Sequence, residues 1–430
     1  MNQFLWLLLL LLGVAFLLRV DFIFYILYVA VGVFAWSRWY AGRALQNLTG
    51  ERHYRRRAFL GETVEIRLTL VNKSRLALPW VEFHESVPPE LRLEQATRQV
   101  VTLRGHQTAD FIYHIKAQQR GYYQLGPLRL SSGDLFGLAR QRHGTLPPDH
   151  LTIYPRIIPL AHLGLPSRLP FGTIASRQRL FEDPARPMGV REFRSGDSLR
   201  RMNWKASAHT QKLLVRTFQP AISLETAILL DLHSTTYERR DRYTATEWAI
   251  VVAASLASHL IDARQSVGLM TNGIDPLRVR EDTHEFDEVT GRLLFQAPAD
   301  KGPAAFMAPA IAPRNGRPQL MKLLEQLARV ETAETVPFVE WASPISVGLN
   351  WGVTILAITA RGDARIANTL HHMARAGFNP ILIAVEPDAN FALVRERGRR
   401  LGFQAFNVTD RRDLTPWQQP QHLSSRSQTR

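Results

Sequence analysis

Two apolar runs, residues 4–18 and 22–36, separated only by Arg19-Val20-Asp21, constrain this chain more than anything after them. Segments with almost no polar residue must leave water, and a pair of them ahead of a long mixed sequence points to lipid. Each run is about 15 residues, short of the roughly 20 that a spanning helix needs. Snorkelling by Arg19 and Arg38, with Trp6, Trp36, Trp39 and Tyr40 at the interface, makes up the difference. A secretory signal peptide would open with basic residues, whereas Met1-Asn2-Gln3 carries no charge. The expectation is a transmembrane helical hairpin over residues 1–40, followed by a basic juxtamembrane linker over 41–57. Arg38, Arg43, Arg52, Arg55, Arg56 and Arg57 follow the second run, so the positive-inside rule anchors the chain in the inner membrane with its bulk in the cytoplasm. The same arginines are expected near anionic headgroups.

At 430 residues the chain is too long for one core, and its 45% apolar and 21% charged composition reads as globular. It has no cysteine, which excludes disulfides, thiolate metal sites and a cysteine nucleophile. A net charge of +15 calls for an acidic partner or an anionic membrane surface.

Residues 61–71, Gly-Glu-Thr-Val-Glu-Ile-Arg-Leu-Thr-Leu-Val, alternate apolar and polar side chains as a half-buried strand does. Residues 80–84, 99–103 and 110–116 repeat the alternation, with Pro79, Pro88, Pro89, Gly105 and Gly121 as punctuation. Short strands at this spacing predict an immunoglobulin-like β-sandwich over residues 58–160, acting as a spacer or interaction module. No catalytic constellation is apparent in it.

The block 189–216, GVREFRSGDSLRRMNWKASAHTQKLLVR, is too charged for a core and too rich in Trp, Phe and Leu for a linker. Ser195-Gly196-Asp197 is turn chemistry, with Asp197 or Ser198 placed to cap a short helix carrying Leu199, Met202 and Trp204. Guanidinium groups in such a block grip anions bidentately, or pair internally. Internal pairing, with Arg191, Arg194, Arg200 and Lys205 facing Glu192 and Asp197, is the expectation, since no GxxxxGK[ST] phosphate loop is present. Nucleic acid is not expected as a partner: zinc spacing and RNA-recognition signatures are missing, and no clear basic helix is seen.

The block resembles the signature of the bacterial and archaeal family called domain of unknown function 58, approximately G-x-R-x-Y/F-x-x-G-D-x-x-R-x-I/M-x-W-K-x-S-A. Gly189, Arg191, Phe193, Gly196, Asp197, Arg200, Met202, Asn203, Trp204, Lys205, Ser207 and Ala208 carry the match. Arg120-Gly121-Tyr122, Asp134-Leu135-Phe136-Gly137-Leu138 and the paired apolar N-terminus also look like that family. The resemblance implies a membrane protein with a C-terminal von Willebrand factor A-like domain, partnered by a MoxR-type AAA+ ATPase in the assembly or maturation of other proteins.

From residue 223 to 410 the sequence reads as a parallel sheet with flanking helices. Residues 226–231 are a buried strand ending in Asp231, and 244–263 a helix with Thr244 and Glu247 as a capping box. Strands follow at 267–271, 353–359, 380–385 and 404–408, with helices at 319–329 and 364–376. Residues 278–316 read as a poorly patterned, mobile insertion at the sheet edge, 161–222 as a connector bearing the signature, and 411–430 as a disordered tail. This order agrees with the A-domain fold that the resemblance implies.

In A domains the carboxyl ends of the strands hold a divalent cation on a D-x-S-x-S loop. Here that loop is Asp231-Leu232-His233-Ser234-Thr235. Asp231 matches and Thr235 can replace the last serine, but His233 replaces the first. The later loop, Thr359-Ala360-Arg361-Gly362-Asp363, has Ala360 where an acid is usual, and Arg361 would repel a cation. A degenerate site without Mg²⁺ is therefore expected, with His233 as a surface or hydrogen-bonding residue. Adjacent His371 and His372 point apart on a helix, unlike the i,i+4 pair of a zinc helix. The leading functional expectation is a non-enzymatic membrane scaffold that docks an AAA+ ATPase or a client protein. A structural clasp that also meets the partner is expected at Arg191, Arg194, Asp197, Arg200, Trp204 and Lys205. The alternatives are a metal-dependent adhesion receptor and a hydrolase.

Overall fold

The computed structural model describes residues 21–44, 47–93, 98–132, 142–160, 182–194, 202–220, 225–278, 285–286, 293–294, 302–386 and 388–414. The chain divides into two compact units, 1–156 with 279–296, and 157–278 with 297–430.

The first unit opens with helix α1 (Asp21–Ala44). It continues beyond the apolar run, reaching about 36 Å at 1.5 Å per residue. Phe22, Tyr25, Tyr28, Val29, Val31, Trp36 and Trp39 are exposed on it, and the Arg43 guanidinium lies 4.7 Å from the Trp39 ring centre. The first apolar run, and with it the first arm of the expected hairpin, lies outside the described residues.

Eleven strands follow: β1 (Leu48–Tyr54), β2 (Arg57–Phe59), β3 (Thr63–Asn72), β4 (Leu78–Glu85), β5 (Leu91–Leu93), β6 (Arg98–Leu103), β7 (Thr108–Ala117), β8 (Gly121–Leu125), β9 (Leu128–Ser132), β10 (Arg142–Leu146) and β11 (Asp149–Tyr154). They form two four-stranded antiparallel sheets, β1-β3-β7-β5 and β10-β9-β4-β6, and a three-stranded sheet β2-β11-β8. The alternation in β3 is realised: Val64, Ile66, Leu68 and Leu70 are buried while Glu65 and Arg67 are exposed. Ile66 and Leu70 share one apolar core with Val81, Phe83 and Leu130 of the second sheet.

The juxtamembrane linker expected over 41–57 is corrected here. Residues 41–44 complete α1, and β1 pairs with β3 from Leu48↔Asn72 to Tyr54↔Ile66. Arg52, expected among headgroups, has a buried side chain instead. Its Nε and Nη2 donate to the two Glu85 carboxylate oxygens at 3.2 and 3.0 Å, and Nη1 donates to the Pro147 carbonyl at 2.8 Å. The charged residues Glu51-Arg52-His53 hide a strand whose inward arginine is neutralised by a partner distant in sequence.

The second unit contains the hairpin β12 (Glu182–Glu192) and β13 (Leu214–Pro220) with the short helix α2 (Trp204–Thr210) between them. The sheet that follows comprises β14 (Glu225–Leu230), β15 (Ser266–Thr271), β18 (Ile311–Arg314), β19 (Thr354–Thr359), β20 (Asn379–Ala384) and β21 (Gln404–Asn407). The two-residue strands β16 (Glu285–Phe286) and β17 (Leu293–Leu294) pair with each other and group with the first unit. Helices α3 (Arg242–Asp262), α4 (Arg317–Arg329), α5 (Phe338–Ser346), α6 (Ala364–Arg375) and α7 (Phe391–Leu401) complete the set.

The sheet order is β18-β15-β14-β19-β20-β21, parallel throughout except for β18 at one edge. A parallel sheet covered on both faces explains the unbroken apolar runs of β14 and β19. Among the described helices, α3 alone is long and apolar enough to cross a membrane. It is instead a core helix, with Ala249, Ile250, Val252, Ala253, Leu256 and Ala257 fully buried.

Three local expectations fail. The capping box at Thr244 and Glu247 does not form, because α3 begins at Arg242 with Asp241 at its cap. The expected short helix fails at Met202, which bridges Val215 outside any helix. The described helix starts at Trp204 and is capped by Asn203, whose side chain accepts from the Ala206 amide, while Asp197, Ser198 and Leu199 lie outside the described residues. The stretch 278–316, expected to be a poorly patterned insertion, supplies β18, whose Ile311 and Arg314 pair with Leu269 and Val267. Pro313 and the one-residue register shift along β18 mask its period from the sequence.

Candidate functional site

The carboxyl ends of β14, β15 and β19 bring polar side chains together, as a doubly wound sheet requires. Strand register does this: Leu230 pairs with Thr271 on one side and with Ile358 on the other. The next residues along the three strands, Asp231, Asn272 and Thr359, therefore become neighbours.

Asp231 is fully buried. Its Oδ1 accepts from Asn272 Nδ2 at 2.8 Å and from the His233 amide at 3.1 Å, and its Oδ2 accepts from Thr359 Oγ1 at 2.8 Å. Asn272 Oδ1 accepts from the Leu232 amide at 2.6 Å, and Tyr237 Oη donates to the Asp231 carbonyl at 2.6 Å. Burial raises the Asp231 carboxyl above its ordinary value, opposed by the bonds from Asn272, His233 and Thr359. Burial also raises Tyr237 well above its ordinary value, with the negative charges of Asp231 and Glu386 adding to it.

One step outward, Arg361 bonds Glu238 through Nη2. Its Nε stands 3.2 Å from Glu386 Oε2, close enough for an ion pair but misaligned for a hydrogen bond. Glu386 is buried and accepts from the Glu238 amide at 2.9 Å. The chain's own guanidinium thus supplies positive charge at this edge. Asp363, the acid of the same loop, accepts from the Ile366 amide at 2.7 Å and caps α6.

Of the metal-loop residues, Asp231 faces inward, Thr235 is exposed on a 3-10 turn, and His233 is 5% exposed. The expectation of His233 as a surface residue is corrected: it is buried, and its Nδ1 has no partner among the described residues. Its backbone takes a bridge to Ala333. Among the described residues no three His, Cys, Asp or Glu side chains converge in a manner suited to a metal ion. Sequence reading missed Asn272, Tyr237, Thr359 and Glu386. The available signal was positional: Asn272 and Thr359 stand at the ends of strands neighbouring the one that ends in Asp231.

The signature block builds a different surface. β12 and β13 pair through Val190↔Arg216, Arg191↔Val215 and Glu192↔Leu214. Met202 is buried and bridges Val215, and Ser207 Oγ accepts from the Leu214 amide at 2.9 Å, tying α2 to the hairpin. Trp204, by contrast, is 66% exposed, Leu213 53% and Val190 47%. Arg194 and Lys205 are exposed as well. Glu192 pairs with Lys212 at 2.7 Å. The Lys212 ammonium holds that carboxyl below its ordinary value. Arg191 Nη1 donates to the Glu192 carbonyl at 3.1 Å. The hairpin register brings Lys212 back beside Glu192, a partner that the expected lattice did not include. Asp197 and Arg200 lie outside the described residues.

Residues 189–339 match the family described as "Protein of unknown function DUF58", and the match begins at the first glycine of the signature. The "Uncharacterized protein YeaD" of Bacillus subtilis (strain 168) is 21% identical over 217 residues, covering 50% of this chain and 52% of that protein. The chain thus spans about half the length of this curated relative. Among solved structures, native E. coli alpha-2-macroglobulin is 17% identical with a TM-score of 0.20, covering 26% of this chain and 7% of that one. The cupredoxin domain of amoB from Nitrosocaldus yellowstonii is 9% identical with a TM-score of 0.19, covering 25% and 87%.

Proposed function

We propose, with DUF58 membership over residues 189–339 as the premise, that this chain is a membrane-anchored, non-enzymatic adaptor whose second unit docks a partner protein. The observation that carries the reading is Trp204, held open to solvent on α2 beside exposed Lys205. Exposed Trp set among cations is the residue chemistry of interaction hot spots. The partner class is the one the family resemblance implies, a MoxR-type AAA+ ATPase acting on a client.

A von Willebrand factor A-like identity for the second unit is supported by its sheet order and its antiparallel β18. An immunoglobulin-like sandwich is the corresponding reading of the first unit, supported by its two antiparallel sheets around one core. Membrane anchoring is supported by the apolar side chains exposed on α1, with Arg43 in its last turn. The scaffold reading is favoured over an enzyme because Asp231, Asn272 and Thr359 are spent on one another. Adhesion through a metal is disfavoured because Arg361 already serves Glu238 and Glu386.

The test is capture of a purified MoxR-type AAA+ ATPase by the full chain in detergent. Binding that Trp204→Ala abolishes without lowering the melting temperature supports the reading. Failure of the intact chain to bind overturns the ATPase assignment, and equal capture by the variant removes Trp204 from the docking face.

A further inference from the structure

The far edge of the six-stranded sheet carries a second site, independent of the Trp204 surface. β21 pairs with β20 from Ile381↔Gln404 to Ala384↔Asn407, and no described strand pairs with its other side. The Val408 amide donates to the Ala384 carbonyl at 2.8 Å. Backbone groups alternate sides along a strand, so those of Phe406 also turn toward β20 while those of Ala405 and Asn407 turn outward.

Natural sheet edges are guarded by prolines, charges on the strand, bulges or a covering segment. Gln404-Ala405-Phe406-Asn407 has no proline, no charge and no register shift. What flanks it is a hollow of about 370 Å³ lined by Arg395, Arg399, Phe403, Gln404, Ala405 and Phe406. Arg395 and Arg399 stand four apart on α7, so they share a helix face, and both are exposed. The one acid of α7, Glu396, is taken by Arg400 at 3.1 Å. No acid pairs with Arg395 or Arg399 among the described residues.

An open strand edge recognises an extended backbone, and two guanidinium groups beside it recognise carboxylates. The chain's own segment after residue 414 does not complement this site: it holds Arg426 and Arg430 and no Asp or Glu. We propose that β21 is a strand-addition site for an extended acidic segment of a partner protein, which bonds the outward backbone groups of Ala405 and Asn407 and places carboxylates against Arg395 and Arg399. The site goes beyond the adaptor reading and does not depend on which protein meets Trp204.

The test uses the full chain in detergent and a labelled short peptide alternating valine and glutamate, with binding read by fluorescence anisotropy. Two control peptides accompany it, one with lysine in place of glutamate and one with alternate backbone amides N-methylated. The glutamate peptide is expected to bind and to slow hydrogen exchange at residues 404–407. N-methylation, and the double variant R395E/R399E, are each expected to weaken binding by about tenfold or more. Absence of glutamate-peptide binding overturns the proposal. Equal binding of the N-methylated peptide also overturns it, by reducing the site to a plain anion pocket. Equal binding by the double variant, or by the lysine peptide, removes the arginines from recognition and overturns it likewise. The N-methylated probe on the unaltered chain keeps the test decisive if the double variant fails to fold.

Discussion

Asn272 Nδ2 donates to Asp231 Oδ1 at 2.8 Å across the ends of two adjacent parallel strands, with both residues fully buried. The same asparagine holds the Leu232 amide at 2.6 Å and the Val336 carbonyl at 3.0 Å, so one side chain ties three loops together. Asp231→Ala strips acceptors from Asn272, Thr359 and the His233 amide at once. Unsatisfied buried donors cost about 1–3 kcal/mol each, so a loss of about 3 kcal/mol or more is expected, read as a fall in melting temperature.

Asp231→Asn separates the charge from the shape. Because burial raises the folded-state carboxyl above its unfolded value, the folded chain holds its proton more tightly than the unfolded chain does. The stability this group contributes is complete below the unfolded value, about 4, and is lost as pH rises through the folded value. Asp231→Asn has no such loss. Its melting temperature relative to the unaltered protein is expected to rise from pH 4 toward neutrality, and a difference independent of pH would contradict the raised carboxyl.

Arg52 and Glu85 form a two-pronged pair whose side chains are 6% and 2% exposed. Removing one partner leaves the other charge buried, so Glu85→Ala is expected to cost about 3–5 kcal/mol in chemical denaturation. Glu192→Ala, at the exposed Lys212 pair, is expected to leave the midpoint unchanged.

Trp351 lies over Gly377, whose φ of +96° is a left-handed conformation and whose added Cβ would strike the indole ring. Gly377→Ala is expected to destabilise by about 2 kcal/mol or more, from overpacking and backbone strain together. In a Trp351→Ala background the added penalty falls to about 1 kcal/mol, the backbone share. A thermal-denaturation cycle on the two sites reads the difference.

The chain has no cysteine, so single thiols report topology cleanly. In inner-membrane vesicles Val29→Cys is expected to resist a membrane-impermeant maleimide. Glu51→Cys is expected to react only when the cytoplasmic face is accessible. Labelling of Val29→Cys would contradict an α1 embedded in lipid.

Within the signature, Met202→Ala is expected to cost about 2–3 kcal/mol because Met202 is buried beside β13, bridging Val215. Trp204→Ala, two positions on, is expected to leave the melting temperature unchanged. Equal losses from both would make the block a brace rather than a docking face.

The sequence by itself determined what local period determines. Val64-Glu65-Ile66-Arg67-Leu68 could only be a half-buried strand, and the apolar runs of β14 and β19 could only be buried on both faces. Helix and strand alternate from residue 225 onward, so a parallel sheet follows, and the glycine-led signature is readable as a string of letters. Local pattern could not tell that Arg52 faces Glu85, 33 positions away, rather than a headgroup. Nor could it tell that Asn272 and Thr359 close around Asp231, or that Pro313 sits in an edge strand. The tertiary structure decided these because each depends on which segments become neighbours. A charge or an amide has no fixed role until register sets its partner, whereas an apolar period carries its role along the chain.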